Sequence, residues 1–177
     1  MKPYLLLISF GFILLFACTC KKEEKKELSG DDIREQKEML LRVNKYLVKK
    51  DIELIESYIK RRGWEMEVTE SGLFYQIYEH GNGERAFKDR SVTIKYVVSL
   101  LDGTICYDSE NLGPKEFLIG RSNEESGLEQ GVLMMHVGDK ARFIMPPHLA
   151  HGLLGDENRI PARSIIVYEV ELLEVSN

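Results

Sequence analysis

The residues of this chain that most suggest reactive chemistry lie between positions 148 and 155. His148 and His151 are three positions apart, but a zinc site needs three or four ligands, and no convergent set of cysteines or glutamates accompanies the two histidines. The adjoining Gly152-Leu153-Leu154-Gly155 lacks the Lys-Ser/Thr pair of a phosphate-binding loop. The pattern therefore favours a flexible loop over a metal or nucleotide site, and we expect no cofactor.

Tyrosines on strand-like segments offer a different kind of chemistry. Tyr96 and Tyr168 each alternate with aliphatic residues at a period of two, which places them on one face of a strand. Such tyrosines either pack in a core or line a cavity. Asp108 is the neighbouring carboxylate of interest, and an ion pair with Arg142 across the sheet is its plainest structural role.

Composition excludes several classes of protein. The 177 residues allow one compact domain plus a tether. A net charge of -5 gives no general attraction to phosphate backbones, so we expect no nucleic-acid partner. The chain has only three cysteines, and a structural disulfide framework is excluded once one of them is assigned to the N-terminus below.

The N-terminus is typical of an export signal with a lipid attachment site. Lys2 precedes an apolar run from Tyr4 to Phe16, which is too short to span a bilayer as a helix. Leu15-Phe16-Ala17-Cys18 then resembles the bacterial lipoprotein box, with Cys18 as the acylated residue. An ordinary cleavable signal is the alternative, and Cys20 is the competing attachment point. We expect a signal peptide over residues 1–17 and a protein anchored to a membrane through lipid.

A charged tether is expected over residues 18–30. Its run Lys21-Lys22-Glu23-Glu24-Lys25-Lys26-Glu27 has no apolar residue to bury, which is typical of a solvated spacer. The Lys-Glu-Glu triplet also resembles the export signal of some Bacteroidetes lipoproteins. The expected location is the bacterial cell envelope, as a periplasmic or outer-membrane lipoprotein.

A helical arm is predicted over residues 31–63. Apolar residues follow helical spacing in two runs, one from Leu40 to Leu47 and one from Ile52 to Ile59. Asp51 is positioned to cap the second run, and Gly63 to end it. These stripes either pack on the domain and on each other or form a homodimer interface or a cradle for partner chains.

A strand-rich domain is predicted over residues 64–177. Asp102-Gly103 predicts a tight hairpin turn, and residues 128–135 predict one short helix between two glycines. The predicted fold is an α+β antiparallel half-barrel wrapped on that helix. Alternating apolar residues mark four strands: Leu73-Tyr75-Ile77, Val92-Ile94-Tyr96-Val98, Ala141-Phe143-Met145 and Ile166-Tyr168-Val170-Leu172.

Residues 92–175 resemble the FKBP-type peptidyl-prolyl cis-trans isomerases, with a domain core of about 88–175. The arm and the Ser71-Gly72-Leu73 that follows it resemble what precedes this domain in exported bacterial members, particularly gliding-motility-associated lipoproteins of Bacteroidetes. The matching pieces are Leu101-Asp102-Gly103-Thr104, Tyr107-Asp108-Ser109, Phe117-Leu118-Ile119-Gly120, Gly127-Leu128-Glu129-Gln130-Gly131-Val132, Met135-His136-Val137-Gly138-Asp139, Pro146-Pro147-His148-Leu149, Ile160-Pro161-Ala162 and Val167-Tyr168-Glu169-Val170.

The resemblance implies a peptidyl-prolyl cis-trans isomerase that acts on X-Pro bonds. Its expected partners are proline-containing polypeptides, and its expected role is to assist the folding of exported proteins. Rotation about the amide breaks no covalent bond, so the pocket needs apolar walls and one or two polar groups rather than a nucleophile. The pocket residues implied by the family match are Tyr96, Tyr107, Asp108, Leu128, His151, Ile160 and Tyr168.

Four positions depart from the family pattern. Lys115 falls at an aromatic position, Glu124 and Glu125 replace an apolar pair on the rim, and His151 replaces a tyrosine whose hydroxyl reaches the substrate. These changes leave a second interpretation open, in which the domain is a chaperone or binding module with weak or lost isomerase activity. Such a module would be accessory to a gliding or secretion machine.

Overall fold

The computed structural model describes residues 29–176 and contains seven strands and three α-helices within that range. A 3-10 turn, Pro147–Leu149, follows the sixth strand. In chain order the elements are α1 (Gly30–Arg62), β1 (Glu67–Val68), β2 (Phe74–Glu79), β3 (Ser91–Leu100), β4 (Ile105–Asp108), α2 (Ser109–Leu112), β5 (Lys115–Leu118), α3 (Ser126–Val132), β6 (Lys140–Met145) and β7 (Ile166–Ser176).

All seven strands join one antiparallel sheet, in the order β1-β2-β6-β7-β3-β4, with β5 also paired to β3. The predicted α+β antiparallel fold is confirmed. The four predicted strands all form, and Gly103 occupies the β3–β4 turn with a φ of 93°, a backbone angle that glycine adopts without strain.

The concave core lies between the sheet and α3. Leu128 and Val132 of α3 are fully buried, and Phe143 of β6 packs in the same cluster. A Cβ added at Gly131 would lie 2.6 Å from the Phe143 ring, so α3 approaches the sheet as closely as it does because this position is glycine. The helix ends at Val132, three residues before the predicted boundary, and a turn to Met135 follows.

A second core lies on the other side of the strands. Ile55 and Tyr58 of α1 pack with Phe74, Ile144 and Val167. These strand residues alternate with those of the first core, so both faces of the sheet are covered at this point. The alternation of apolar and polar residues along the predicted strands did not indicate that the second face of the sheet is also buried.

The prediction that Asp51 caps a second helical run in the arm was wrong. α1 is one continuous helix of 33 residues that runs through Asp51 and ends where Gly63 adopts a φ of 64°. Asp51 therefore lies inside the helix and does not cap it. Its carboxylate accepts two hydrogen bonds from Nη2 of Arg163, at 2.9 Å and 2.7 Å, and Asp51 is 8% exposed.

The Arg163 contact joins α1 to the loop that precedes β7. The backbone N–H of Arg163 also donates to the carbonyl of Gly152, 3.1 Å away, in the loop that carries His151. Arg163 has a φ of 57°, which lies in the left-handed backbone region that residues other than glycine rarely adopt. Arg163 thus connects α1 with both ends of the 152–163 segment, through its side chain to Asp51 and through its backbone N–H to Gly152.

Most of α1 remains solvent-exposed. The chain divides into two compact units, one ending at Leu40 and the other beginning at Leu41. Within residues 29–176, no helix has the length and apolar character needed to cross a membrane. Nine large apolar side chains of α1 are exposed: Ile33, Met39, Leu40, Leu41, Val43, Tyr46, Val48, Ile52 and Leu54.

We predict that Arg163→Met lowers the free energy of unfolding by about 2 kcal/mol or more, because it leaves the Asp51 carboxylate buried without a cation. The measurement is urea denaturation of the full chain. The matched control is Arg121→Met, which breaks the exposed Arg121–Asp89 pair and should cost about 1 kcal/mol or less. Equal losses in the two variants would contradict this role of Arg163.

Candidate active site

A cavity of about 260 Å³ opens on the concave face of the sheet. That volume is slightly below the range typical of sites for drug-sized ligands, and it suits one small apolar ring. The lining combines aromatic, aliphatic and charged side chains: Tyr96, Val98, Tyr107, Lys115, Glu125, His151, Asp156 and Tyr168.

Pairing between β3 and β7 builds the aromatic wall. Val98 lies opposite Tyr168 in the register, and Tyr96 is two residues from Val98 on the same face. The Tyr96 and Tyr168 rings are tilted by 39°, with centroids 6.4 Å apart. Two of the tyrosines predicted from the sequence therefore form one continuous surface.

The hydroxyl of Tyr168 is committed to a carboxylate. It donates to Glu125, at 3.0 Å from Oε1 and 3.1 Å from Oε2. Burial, and then the negative charge of Glu125, raise the pKa of Tyr168 well above its usual range, so this hydroxyl stays protonated. It remains a donor at neutral pH.

His151 lies against the same glutamate. Its Nε2 atom is 2.8 Å from Glu125 Oε1, yet it makes no aligned hydrogen bond and is buried. The Glu125 carboxylate therefore occupies the space beside this nitrogen, and the nitrogen is not open to solvent. Glu125 itself is deeply placed, with 9% of its side chain exposed.

Asp156 is the carboxylate on the opposite side of the cavity. It accepts hydrogen bonds from the Tyr107 hydroxyl and from the backbone N–H groups of Asn158 and Ile160. Burial opposes ionisation, but these hydrogen bonds outweigh it and hold the pKa of Asp156 at about 2. The loop leading to Ile160 is fixed to β4 through this side chain.

Lys115 lines one wall without closing the cavity. Its Nζ lies 5.2 Å from the centre of the Tyr96 ring and pairs with Glu124 at 2.5 Å. The ammonium group thus lies over the face of the Tyr96 ring, and its ion pair with Glu124 fixes it there. The cavity volume given above is what remains with Lys115 and Glu125 in place.

Asp108 does not line the cavity. Its carboxylate caps α2 by accepting from the backbone N–H of Asn111 at 2.8 Å and from the Asn111 side chain. The hydrogen bonds from Asn111 lower its pKa. The suggested pair with Arg142 is also wrong, since Arg142 contacts Glu169 and lies 4.1 Å from the Tyr78 ring.

Leu128 and Ile160 support the cavity from the core. They are 0% and 3% exposed and belong to the cluster that contains Tyr96 and Tyr168, but neither is a lining residue. Of the seven residues predicted from the sequence, four line the cavity: Tyr96, Tyr107, His151 and Tyr168.

The sequence prediction missed Asp156 and Val98. Val98 was identified only as a strand residue, although it shares the face of Tyr96. Asp156 carries a weaker signal: an aspartate before Asn158 in a turn-rich segment, a context in which aspartate often accepts from backbone N–H groups two and four residues on.

The chemistry that this site supports is binding and orientation. In the part of the chain that the structure describes, no group of three or more His, Cys, Asp or Glu side chains is arranged to hold a metal ion. The described cavity offers aromatic faces, one aliphatic side chain and a few fixed polar atoms. Such a surface can select the shape and polarity of an uncharged group.

Comparison with known proteins finds one family over the strand-rich part of the chain. A family model described as FKBP-type peptidyl-prolyl cis-trans isomerase matches residues 83–173. FK506-binding protein 2 of Yarrowia lipolytica is 34% identical over 107 residues, which cover 60% of this chain and 74% of that protein. A probable FKBP-type isomerase FkpA of Neisseria meningitidis is 29% identical over 157 residues, covering 87% of this chain.

A solved structure shows the same architecture. The crystal structure of FkpA from Escherichia coli superposes with a TM-score of 0.62 and 27% identity, covering 85% of this chain and 74% of that one. This chain spans only part of the curated FkpA proteins, 57% of the Neisseria protein and 46% of the Aeromonas hydrophila protein.

We predict that Asp156→Asn lowers the melting temperature at pH 6 and that the difference from the unchanged chain shrinks as the pH falls from about 4 to about 2. The folded-state pKa of Asp156 lies below its ordinary value of 3.8, so its stabilisation is present above that value and is lost as the carboxylate becomes protonated. Thermal unfolding at several pH values measures this. Glu157→Gln, in the same loop, controls for net charge, and a difference that is independent of pH would contradict the account.

Proposed function

This chain belongs to the FKBP-type peptidyl-prolyl cis-trans isomerase family, and on that premise we propose that it catalyses rotation about X-Pro bonds in exported polypeptides. The observation that carries the proposal is the cavity walled by Tyr96, Tyr107 and Tyr168, which stays open although Lys115 and Glu125 depart from the family pattern. A family member whose pocket had filled would lose the space for a proline ring.

The reaction follows from the physics of the amide. Its planar form is held by resonance, with a barrier to rotation of about 18–20 kcal/mol. A twisted amide loses that resonance, and its carbonyl is less polar, so moving it from water to an aromatic surface costs less than for the planar form. A cavity that binds the twisted form more tightly lowers the barrier without any bond to a side chain.

His151 is the group proposed to hold the substrate carbonyl. Its Nε2 is buried against Glu125 Oε1, 2.8 Å away, so the imidazole must turn about its side-chain torsions to present an N–H to the substrate. The hydroxyl groups of Tyr168 and Tyr107 already donate to Glu125 and Asp156, so they are less free to serve. An imidazole N–H directed at the carbonyl would fix the peptide while the proline ring turns.

A second candidate function is that of a chaperone or binding module. The exposed apolar side chains of α1 between Leu41 and Leu54 favour it, because apolar side chains left in solvent are available for a protein contact. Both a homodimer through this arm and a cradle for client chains would use these side chains. With reduced isomerase activity, such a module would serve a gliding or secretion machine as an accessory.

The proposed location is the bacterial cell envelope, through acylation of Cys18. The support is the lipoprotein-type sequence before Cys18 and the charged spacer after it, both of which lie outside the described residues. An acyl anchor would hold the domain near a membrane where exported chains emerge and fold. The clients would then be proline-containing polypeptides in the envelope.

We predict that Tyr168→Leu lowers kcat/KM for a proline tetrapeptide by about tenfold, because it removes one aromatic wall and the donor to Glu125. The measurement is a protease-coupled isomerisation assay on the full chain in detergent. Tyr78→Leu is the matched control, since Tyr78 lies outside this cavity. Unchanged turnover in Tyr168→Leu would contradict the placement of the site, and circular dichroism verifies that both variants fold.

The same assay separates the proposed activity from the second candidate. If the unchanged full chain gives no acceleration at high concentration but still suppresses aggregation of an unfolded client, the isomerase proposal is wrong and the chaperone proposal stands. Light scattering coupled to size exclusion measures whether the arm dimerises.

We predict that the chain expressed in a bacterium fractionates with membranes and that Cys18→Ser releases it, because several acyl chains contribute about 0.8 kcal/mol for each buried CH₂ group. Cys20→Ser, the neighbouring cysteine, is the control and should leave the protein on the membrane. Mass spectrometry that finds an unmodified Cys18 would contradict lipid anchoring.

A further inference from the structure

The lining of the proline cavity carries more negative than positive charge. Its carboxylates are Glu125 and Asp156, and its one lysine, Lys115, is already paired with Glu124 at 2.5 Å. His151 Nε2 lies 2.8 Å from Glu125 Oε1 within the same lining. The interior of the cavity is therefore unlike a purely apolar proline site.

Within residues 29–176, neither lining carboxylate forms an ion pair with a lysine or an arginine. Glu125 accepts from the neutral Tyr168 hydroxyl, and Asp156 from the neutral Tyr107 hydroxyl and two backbone N–H groups. The guanidinium of Arg159 lies 5.3 Å from the centre of the Tyr107 ring and donates to the Cys106 carbonyl. Hydrogen bonds fix the two carboxylates in place, and the basic side chain within 4 Å of either is the His151 imidazole, 2.8 Å from Glu125.

Burial makes these charges effective. Only 9% of the Glu125 side chain is exposed, so water screens it less than a surface glutamate. The hydrogen bonds that hold the pKa of Asp156 at about 2 keep it ionised throughout the neutral range. Since a proline ring is uncharged, a cation that meets these groups must come from a neighbouring residue of the bound peptide.

We infer that the cavity selects prolyl bonds preceded by a basic residue, and that Glu125 and Asp156 determine this specificity. The inference rests on the proposed isomerase function. The chemistry that would be recognised is a lysine or arginine side chain extended along the cavity wall beside the proline, while a glutamate in that position would be repelled. The net charge of -5 acts in the same direction by attracting basic chains.

The test compares peptides of the form Ala-X-Pro-Phe, with X as lysine, leucine or glutamate. Exchange between the cis and trans proline signals is measured by NMR with catalytic amounts of the full chain, so that no protease has to tolerate X. We expect kcat/KM to fall in the order lysine, leucine, glutamate, with lysine about five- to tenfold above glutamate at low salt and a smaller ratio at high salt.

Variants assign the preference to the cavity. Glu125→Gln keeps an acceptor for Tyr168 but removes the charge, and we expect it to reduce the lysine-to-glutamate ratio by about threefold. Glu174→Gln removes an exposed charge of β7 outside the cavity and should leave the ratio unchanged. Because the comparison is a ratio within each variant, a change in overall activity does not affect it.

The outcomes separate this inference from the proposed function. Equal rates for the three peptides would overturn the specificity and leave the isomerase activity standing. If no peptide is isomerised, the proposed function fails, and peptide binding measured by NMR titration then decides the specificity. A lysine preference in Kd that Glu125→Gln removes would support it, and equal Kd values would overturn it. A lysine preference that persists in both Glu125→Gln and Asp156→Asn would also overturn the assignment.

Discussion

The pairing of β3 with β7 is the constraint on which the rest of the structure depends. It is the longest ladder of the sheet and sets Tyr96, Val98 and Tyr168 on one concave face. A shift of one residue in this register would turn the aromatic rings out of the cavity and bring charged neighbours such as Lys95 and Glu169 inward. The hydrophobic pattern of both strands opposes that shift, because one face is buried against α3.

A second set of contacts closes the cavity around that aromatic wall. Asp156 fixes the loop after His151 to Tyr107, and Arg163 fixes the end of the same loop to Asp51 of α1. Each contact connects residues far apart in sequence, so the loop is shaped by the folded domain rather than by its own local preferences. The part of α1 around Asp51 therefore belongs to the framework around the site.

The sequence predicted the fold well and the site only in part. Alternation at a period of two identified the main strands, and the tyrosines at positions 96 and 168 followed from it together with the family resemblance. Asp108 was assigned to the cavity by the family resemblance, yet its carboxylate caps α2 and does not line the cavity. Asp156 and the α1 contact of Asp51 depend on long-range packing, which no local pattern in one sequence encodes.

The cavity lining contains two carboxylates, Glu125 and Asp156. Polar groups in a proline cavity lose hydration when a substrate enters, so they must be hydrogen-bonded to keep that cost low. Tyr168 meets this need for Glu125, and Tyr107 meets it for Asp156. The same tyrosines that form the walls thus stabilise carboxylates that an apolar site would lack.

We propose that an aromatic cavity without a reactive side chain speeds rotation about an X-Pro bond. NMR exchange spectroscopy on an X-Pro peptide, with the full chain at a small fraction of the peptide concentration, tests it most directly. The account predicts cis–trans exchange peaks that appear with the protein, together with shifts confined to the Tyr96–Tyr168 cavity. Exchange no faster than in the peptide alone, even at equal concentrations, would contradict it.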